Sequence, residues 1–223
     1  MGSSAVLQLL FCIYLTLSAF AGIALWLCPT GSSSTNLSNL IQTLASTHST
    51  TPFPPHVTLI SGIPSSSPLP SLLLQLTSSI VSWRASRHFS PLVLPLGPLG
   101  SRAAEKNRWQ YLFSTVPSGP SLEPLLALRK AVRTSFFLER EAAGDEDEYF
   151  PHLSLIYGED TEERSARGII KGLEKEGTAK KVSEGEDERW SVAGVEEVSV
   201  TEVLVVRCDE SPEEWKVLGS VPL

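Results

Sequence analysis

Cysteine is scarce in this chain: there are three in 223 residues, Cys12, Cys28 and Cys208, with no Cys-x-x-Cys spacing. That argues against both a zinc site and a disulfide framework. Histidine is nearly as rare, with four residues. Two of them, His48 and His88, have no cysteine or carboxylate at ligand spacing, so they read as surface or loop residues and no metal is expected. Positive charge is short as well. The chain holds 18 Lys+Arg against 25 Asp+Glu, a net charge of −7, and residues 141–223 carry nine basic residues against twenty-two acidic ones. Such a balance makes long nucleic acid a poor partner, because neutralising many phosphates supplies most of that affinity. A small anionic ligand needs less. Arg84, Arg87, Arg102, Lys106 and Arg108, interleaved with Trp83 and Trp109, could guide one, although solvated helix and loop faces are the favoured explanation of them. The acidic run Asp145–Glu148 reads as a solvated loop.

What the chain does have is a repeat. Phe150 to Gly158 reads Phe-Pro-His-Leu-Ser-Leu-Ile-Tyr-Gly, and its echo runs from Phe53 to Gly62. Laid on one another, Pro55–Gly62 and Pro151–Gly158 agree at Pro, His, Leu, Ile and Gly, with Thr58 matching Ser154. Both copies alternate as strands do, so each His shares a face with the hydroxyl residue two places on. A buried structural histidine has no need of a hydroxyl at the same offset twice. Two imidazoles and two hydroxyls suit phosphodiester cleavage without a metal or other cofactor. One imidazole takes a proton from water and the other gives one to the departing oxygen, work suited to a group with a pKa near 6.5. The hydroxyls hold the non-bridging phosphate oxygens between them. A bell-shaped rate profile with both limbs in the histidine range is expected.

These motifs resemble those of the two-histidine (2H) phosphoesterases, the LigT-like superfamily, whose signature is a pair of His-x-[Ser/Thr]-x motifs on strands of two lobes. The chain looks most similar to the fungal and plant cyclic phosphodiesterase branch. The segment Gly22–Pro29 also looks like that family's first strand, so the resemblance spans nearly everything after residue 21. It implies an α+β fold of two pseudo-symmetric lobes, each an antiparallel sheet with helices on its outer face, and an active site in the cleft between them. It also implies hydrolysis of nucleoside 2′,3′-cyclic phosphates to 2′-phosphates, and of ADP-ribose 1″,2″-cyclic phosphate left over from tRNA splicing. His56 and His152 match the catalytic histidines, Thr58 and Ser154 the phosphate-binding hydroxyls, and Tyr157 an aromatic beside the substrate. The resemblance makes His152 the base and His56 the acid. A monomer is expected, and Trp26 reads as core in preference to a base-stacking platform. Two rivals stay open: an RNA end-processing or 2′–5′ RNA ligase-type enzyme of the same superfamily, and a non-catalytic nucleotide- or phosphopeptide-binding protein or membrane-tethered adaptor.

Residues 1–21 form a hydrophobic leader ahead of a single two-lobed domain at 22–223. From Ala5 to Ala21 the leader is uncharged and apolar, short for a membrane helix and right for a signal-peptide core, with Ala19-Phe20-Ala21 in the form of a cleavage site. Signal, anchor and gene-model extension all fit. The first two imply the endomembrane route, such as the Golgi, and the third the cytoplasm. Further along, Thr30–Asn36 reads as a turn and Asn36–Ala45 as a helix. Pro70–Trp83 and Glu123–Phe137 are further helices, and Thr161–Glu176 is another. Strands are expected at the two motifs, at Arg108–Val116 and in the valine-rich Val192–Val206, with irregular or edge pairing at Phe89–Leu99 and a last strand at Trp215–Val221. Lys175–Glu188 reads as an exposed linker.

Overall fold

The five residues Ile23–Leu27 carry no polar side chain, and a run buried on both sides belongs in the middle of a sheet. The computed structural model describes residues 22–86, 91–105, 108–120, 122–136, 149–161, 164–183, 188–209 and 211–223. The leader, Arg87, His88, Lys106, the side chain of Arg108 and the acidic run at 145–148 lie outside the described residues. Strand β1 (Ile23–Leu27) is followed by α1 (Gly31–His48), β2 (Val57–Ile63), α2 (Leu69–Ala85), β3 (Leu92–Pro95), β4 (Leu99–Gly100) and β5 (Leu112–Thr115). Then come α3 (Leu122–Ser135), β6 (His152–Ile156), α4 (Ala166–Lys175), β7 (Ala179–Lys181), β8 (Trp190–Val192), β9 (Glu197–Val200), β10 (Glu202–Arg207) and β11 (Lys216–Pro222). This is an α+β fold.

A seven-stranded sheet runs in the order β11-β10-β1-β2-β6-β5-β4, and two-stranded sheets pair β3 with β9 and β7 with β8. All the ladders are antiparallel. The large sheet divides in the middle. Strands β2 and β6 meet at a single register pair, Val57↔Leu153, whereas β1 and β10 share five. Four strands therefore form one half and three the other. Helix α1 packs against β6, and α2 packs against α3 and β11, so the helices cover one face. Alternation then splits β1 between two cores: Ile23, Leu25 and Leu27 join the large core under the helices, while Ala24 and Trp26 join Val206 on the opposite face. That second face carries the candidate site.

Two glycines set the β1–β2 edge. The register slips between Ile23↔Ile63 and Leu25↔Ile60, which places an extra residue on β2. Gly62, at φ 78°, supplies the left-handed conformation that this bulge needs. Gly22, at φ 123°, lies so close to β2 that a Cβ there would sit 2.4 Å from the Ile63 carbonyl oxygen.

Several sequence expectations are corrected. Thr30–Asn36 is not a turn, since α1 begins at Gly31. Thr30 donates to the Ser199 carbonyl and Asn36 to the Ala193 carbonyl, and such anchoring outweighs the weak helix propensity of a Ser/Thr run. Lys175–Glu188 contains β7, whose Ala179 is buried while Lys180 and Lys181 face water, the charge pattern of a blunted edge strand. Arg108–Gln110 is a 3₁₀ turn, and β5 starts only at Leu112. The charged stretch from Thr161 becomes helical at Ala166, whose N–H donates to Asp160 Oδ1 at 2.9 Å. The valine run breaks at Ala193-Gly194, both at positive φ. Leu92–Pro95 is indeed a strand in a small sheet, and Lys216–Pro222 closes the chain at the edge of the large one. Among the described residues no helix is long and apolar enough to cross a membrane.

Candidate functional site

Proline delivers each motif histidine into its strand at the same point, immediately before or at the first paired residue of β2 and β6. Both imidazoles are then fixed in the same way. Nδ1 of His56 is 2.7 Å from the Pro54 carbonyl oxygen, and Nδ1 of His152 is 2.8 Å from that of Phe150. A carbonyl oxygen only accepts, so Nδ1 carries the proton in each neutral ring and Nε2 is left as the reactive nitrogen. Carrying the Val57↔Leu153 register one residue either way sets His56 across from Ser154 and Thr58 across from His152. Alternation puts all four side chains on the face away from the helices. Imidazoles and hydroxyls thus form a quartet around a local two-fold axis.

The surroundings break that symmetry. His56 is 3% exposed and stacks on Trp26, with centroids 3.7 Å apart and planes at 9°. Phe53 and Trp215 meet its ring edge-on, and the Tyr157 hydroxyl lies 3.4 Å from its Nε2. Burial lowers its pKa to about 4, the bond to the Pro54 carbonyl opposing this and the nearby His152 adding to it. His152 is half-buried and stacks on Phe150 at 5.6 Å. Its pKa is also lowered, first by burial and then by the Arg102 charge, against a raising effect of the Phe150 carbonyl. A single proton shared by the free site therefore favours His152, the less buried ring.

The remaining site residues take up one another's hydrogen bonds. Ser154, 3% exposed, donates to the Trp109 carbonyl at 3.2 Å. Tyr157 stacks on Phe53 at 4.0 Å and is pushed far above the usual tyrosine range by burial, so it stays protonated and donates. Thr58 is half-buried, and its carbonyl accepts from the Tyr149 hydroxyl at 2.9 Å. Trp109 from one half and Trp215 from the other approach to 6.1 Å above this group.

Trp26 is buried as expected, but in the small cluster beside His56 and outside the main core. Sequence reasoning missed Phe53, Tyr149 and Trp215 as site residues. The aromatic opening both motif copies was the signal available for Phe53. Of the charged residues suggested as guides, Arg102 lies beside the site. His48 ends α1, half-buried, and its carbonyl accepts from Arg164 at 2.8 Å. Among the described residues no group of three His, Cys, Asp or Glu is placed to hold a metal ion. Cys28 and Cys208 flank opposite ends of the β1–β10 ladder, about 20 Å apart at the usual strand rise and beyond disulfide reach. Burial raises both thiols to about 12.

The family described as cyclic phosphodiesterase-like protein matches residues 21–223. No curated protein sequence matches the chain. Among solved structures, E. coli LigT complexed with 3′-AMP superposes with a TM-score of 0.50 at 13% identity, covering 91% of this chain and 97% of LigT. E. coli LigT complexed with NADP+ gives 0.50 and 13%, covering 91% and 98%. At such identity the likeness is one of fold.

Proposed function

The chain belongs to the cyclic phosphodiesterase-like family within the LigT-like two-histidine phosphoesterases, and on that premise we propose that it hydrolyses nucleoside 2′,3′-cyclic phosphates to nucleoside 2′-phosphates. Phosphoesterase action on cyclic phosphates or RNA ends is the chemistry that goes with the family. The observation that carries the finer reading is the pair of imidazoles, each held at Nδ1 by a carbonyl two residues back, which leaves Nε2 as the reactive nitrogen, that of His56 within 3.4 Å of the Tyr157 hydroxyl. One Nε2 accepts a proton from water as the water oxygen bonds to phosphorus. The other, protonated, gives its proton to the 3′ oxygen as the P–O3′ bond breaks. Thr58 and Ser154 donate to the non-bridging oxygens, the Ser154 hydroxyl turning away from the Trp109 carbonyl to do so, and Tyr157 supports them. For His56 to be the acid, the proton must move to it from His152 when the phosphate anion binds, because that anion favours an imidazolium beside it.

The test is incubation of the purified chain with adenosine 2′,3′-cyclic phosphate and chromatography of the product. Adenosine 2′-phosphate is expected, at a rate unchanged by EDTA. Mainly 3′-phosphate, or activity lost to chelator and restored by a divalent ion, would reject the proposal. ADP-ribose 1″,2″-cyclic phosphate is the second substrate to try.

The lowered pKa values set the sign of the pH response. Depressed imidazoles are neutral until the pH falls below 6.5, so the singly protonated pair is most abundant on the acid side of that value. The optimum of kcat/KM, which reports the free enzyme, is expected below pH 6.5. The kcat profile should lie to the alkaline side of it, since bound phosphate raises both groups. Coincident profiles centred above pH 7 would contradict this assignment.

A further inference from the structure

Next to the quartet sits a cation that the proposed mechanism does not use. Arg102 follows the edge strand β4. Its N–H donates to the Gln110 carbonyl at 2.8 Å, and its Nη1 donates to Gln110 Oε1 at 3.1 Å. The guanidinium carbon lies 4.5 Å from the centroid of the Phe150 ring, and that ring stacks 5.6 Å from the His152 imidazole. Phe113 packs edge-on against Phe150 at 5.3 Å and tilted against His152 at 5.2 Å, holding the layers in register. Gly100 permits the arrangement, for a Cβ there would stand 2.6 Å from the Phe113 ring. Among the described residues the nearest carboxylate, Glu105, is 3.9 Å from Nε, outside hydrogen-bond range, and both side chains are open to water. The charge is therefore fixed in place and still available to a ligand.

Acid–base chemistry does not explain this placement, because a positive charge there opposes protonation of His152. Nor can Arg102 hold the scissile phosphate. One aromatic layer, the Phe150 ring, separates it from the imidazole against which that phosphate must lie. We propose that Arg102 is the subsite for a second phosphate of the substrate, one sugar removed from the cyclic one. The inference rests on the phosphodiesterase reading above. It makes the preferred substrates nucleoside 2′,3′-cyclic phosphates that also carry phosphate at the 5′ position. A planar guanidinium backed by an aromatic ring suits that task, since its fork offers two parallel donors to phosphate oxygens.

The experiment compares kcat/KM for adenosine 2′,3′-cyclic phosphate with and without a 5′-phosphate, in the wild type and in Arg102→Gln and Arg102→Lys. A dinucleotide ending in a cyclic phosphate forms a further arm and shows whether a terminal or an internucleotide phosphate is read. The wild type should favour a second phosphate about tenfold, mainly through KM, as one charge-assisted hydrogen-bond pair allows. The ratio should fall to near one in Arg102→Gln and stay intermediate in Arg102→Lys. Calorimetric binding of adenosine 2′-phosphate and adenosine 2′,5′-bisphosphate gives the same comparison without turnover. An equal ratio in wild type and Arg102→Gln, or no wild-type preference in rate or binding, overturns the subsite. Absence of hydrolysis with the bisphosphate preference intact would overturn the proposed activity and leave the subsite standing.

Discussion

Replacing His56 or His152 by alanine is expected to lower turnover of a 2′,3′-cyclic phosphate by roughly 10²–10⁴-fold, the usual contribution of a positioned acid or base. Both proton transfers belong to one displacement step, so losing either ring stops the same event. His152 is the cleaner test. It is less buried than His56, and its removal leaves β6 paired with β5 and the Val57↔Leu153 contact intact. Thr58→Ala and Ser154→Ala remove a hydrogen bond to phosphate in place of a proton carrier, so they should cost less and raise KM as well. Steady-state kinetics on variants with wild-type melting temperatures decide the matter. An alanine variant at either histidine with activity within tenfold of wild type would remove the pair from the mechanism.

The second large effect is one of stability. Trp26 is 2% exposed and packs against Ala24 and Val206 besides His56 and Trp215. Trp26→Ala should cost about 3–5 kcal/mol, the range for truncating a buried tryptophan. Urea unfolding measures it. The same change lets water reach His56, so the ring's pKa, followed by NMR, should climb from about 4 towards 6.5. The sign of the linkage follows. In the wild type the unfolded chain binds the extra proton between pH 4 and 6.5, so stability is fully present above 6.5 and is lost as the pH falls through that window. In the variant this slope should flatten. A loss under 1 kcal/mol, with His56 still titrating near 4, would mean that the stack contributes neither packing nor desolvation.

The motif copies made the centre of this arrangement legible in the sequence, because strand alternation alone puts each His beside its hydroxyl and both strands needed burial of their apolar residues. The antiparallel abutment of the two strands, which turns two pairs into a quartet, depends on pairing between residues about a hundred positions apart. Local pattern carries no record of that. The same limit hid Tyr149, which reaches the Thr58 carbonyl, and Trp215, which joins the site from the far end of the chain. Helix boundaries failed where tertiary anchors overrode propensity, as at Gly31. The asymmetry of the two histidines was also unreadable. The first copy has two prolines before its His and the second has one, so Phe53 meets His56 edge-on where Phe150 stacks on His152.

The single contact between β2 and β6 bears on how such a site can be lost. Each strand contributes one imidazole and one hydroxyl and borrows the complementary pair from its neighbour, with the local axis passing beside Val57 and Leu153. Neither half holds a weaker version of the activity in reserve. Loss of either motif therefore removes a part that the other cannot supply, although the two segments lie far apart in the chain. The segments outside the paired strands carry no such bond, and there the two halves differ: Trp26 backs His56 where Phe150 backs His152.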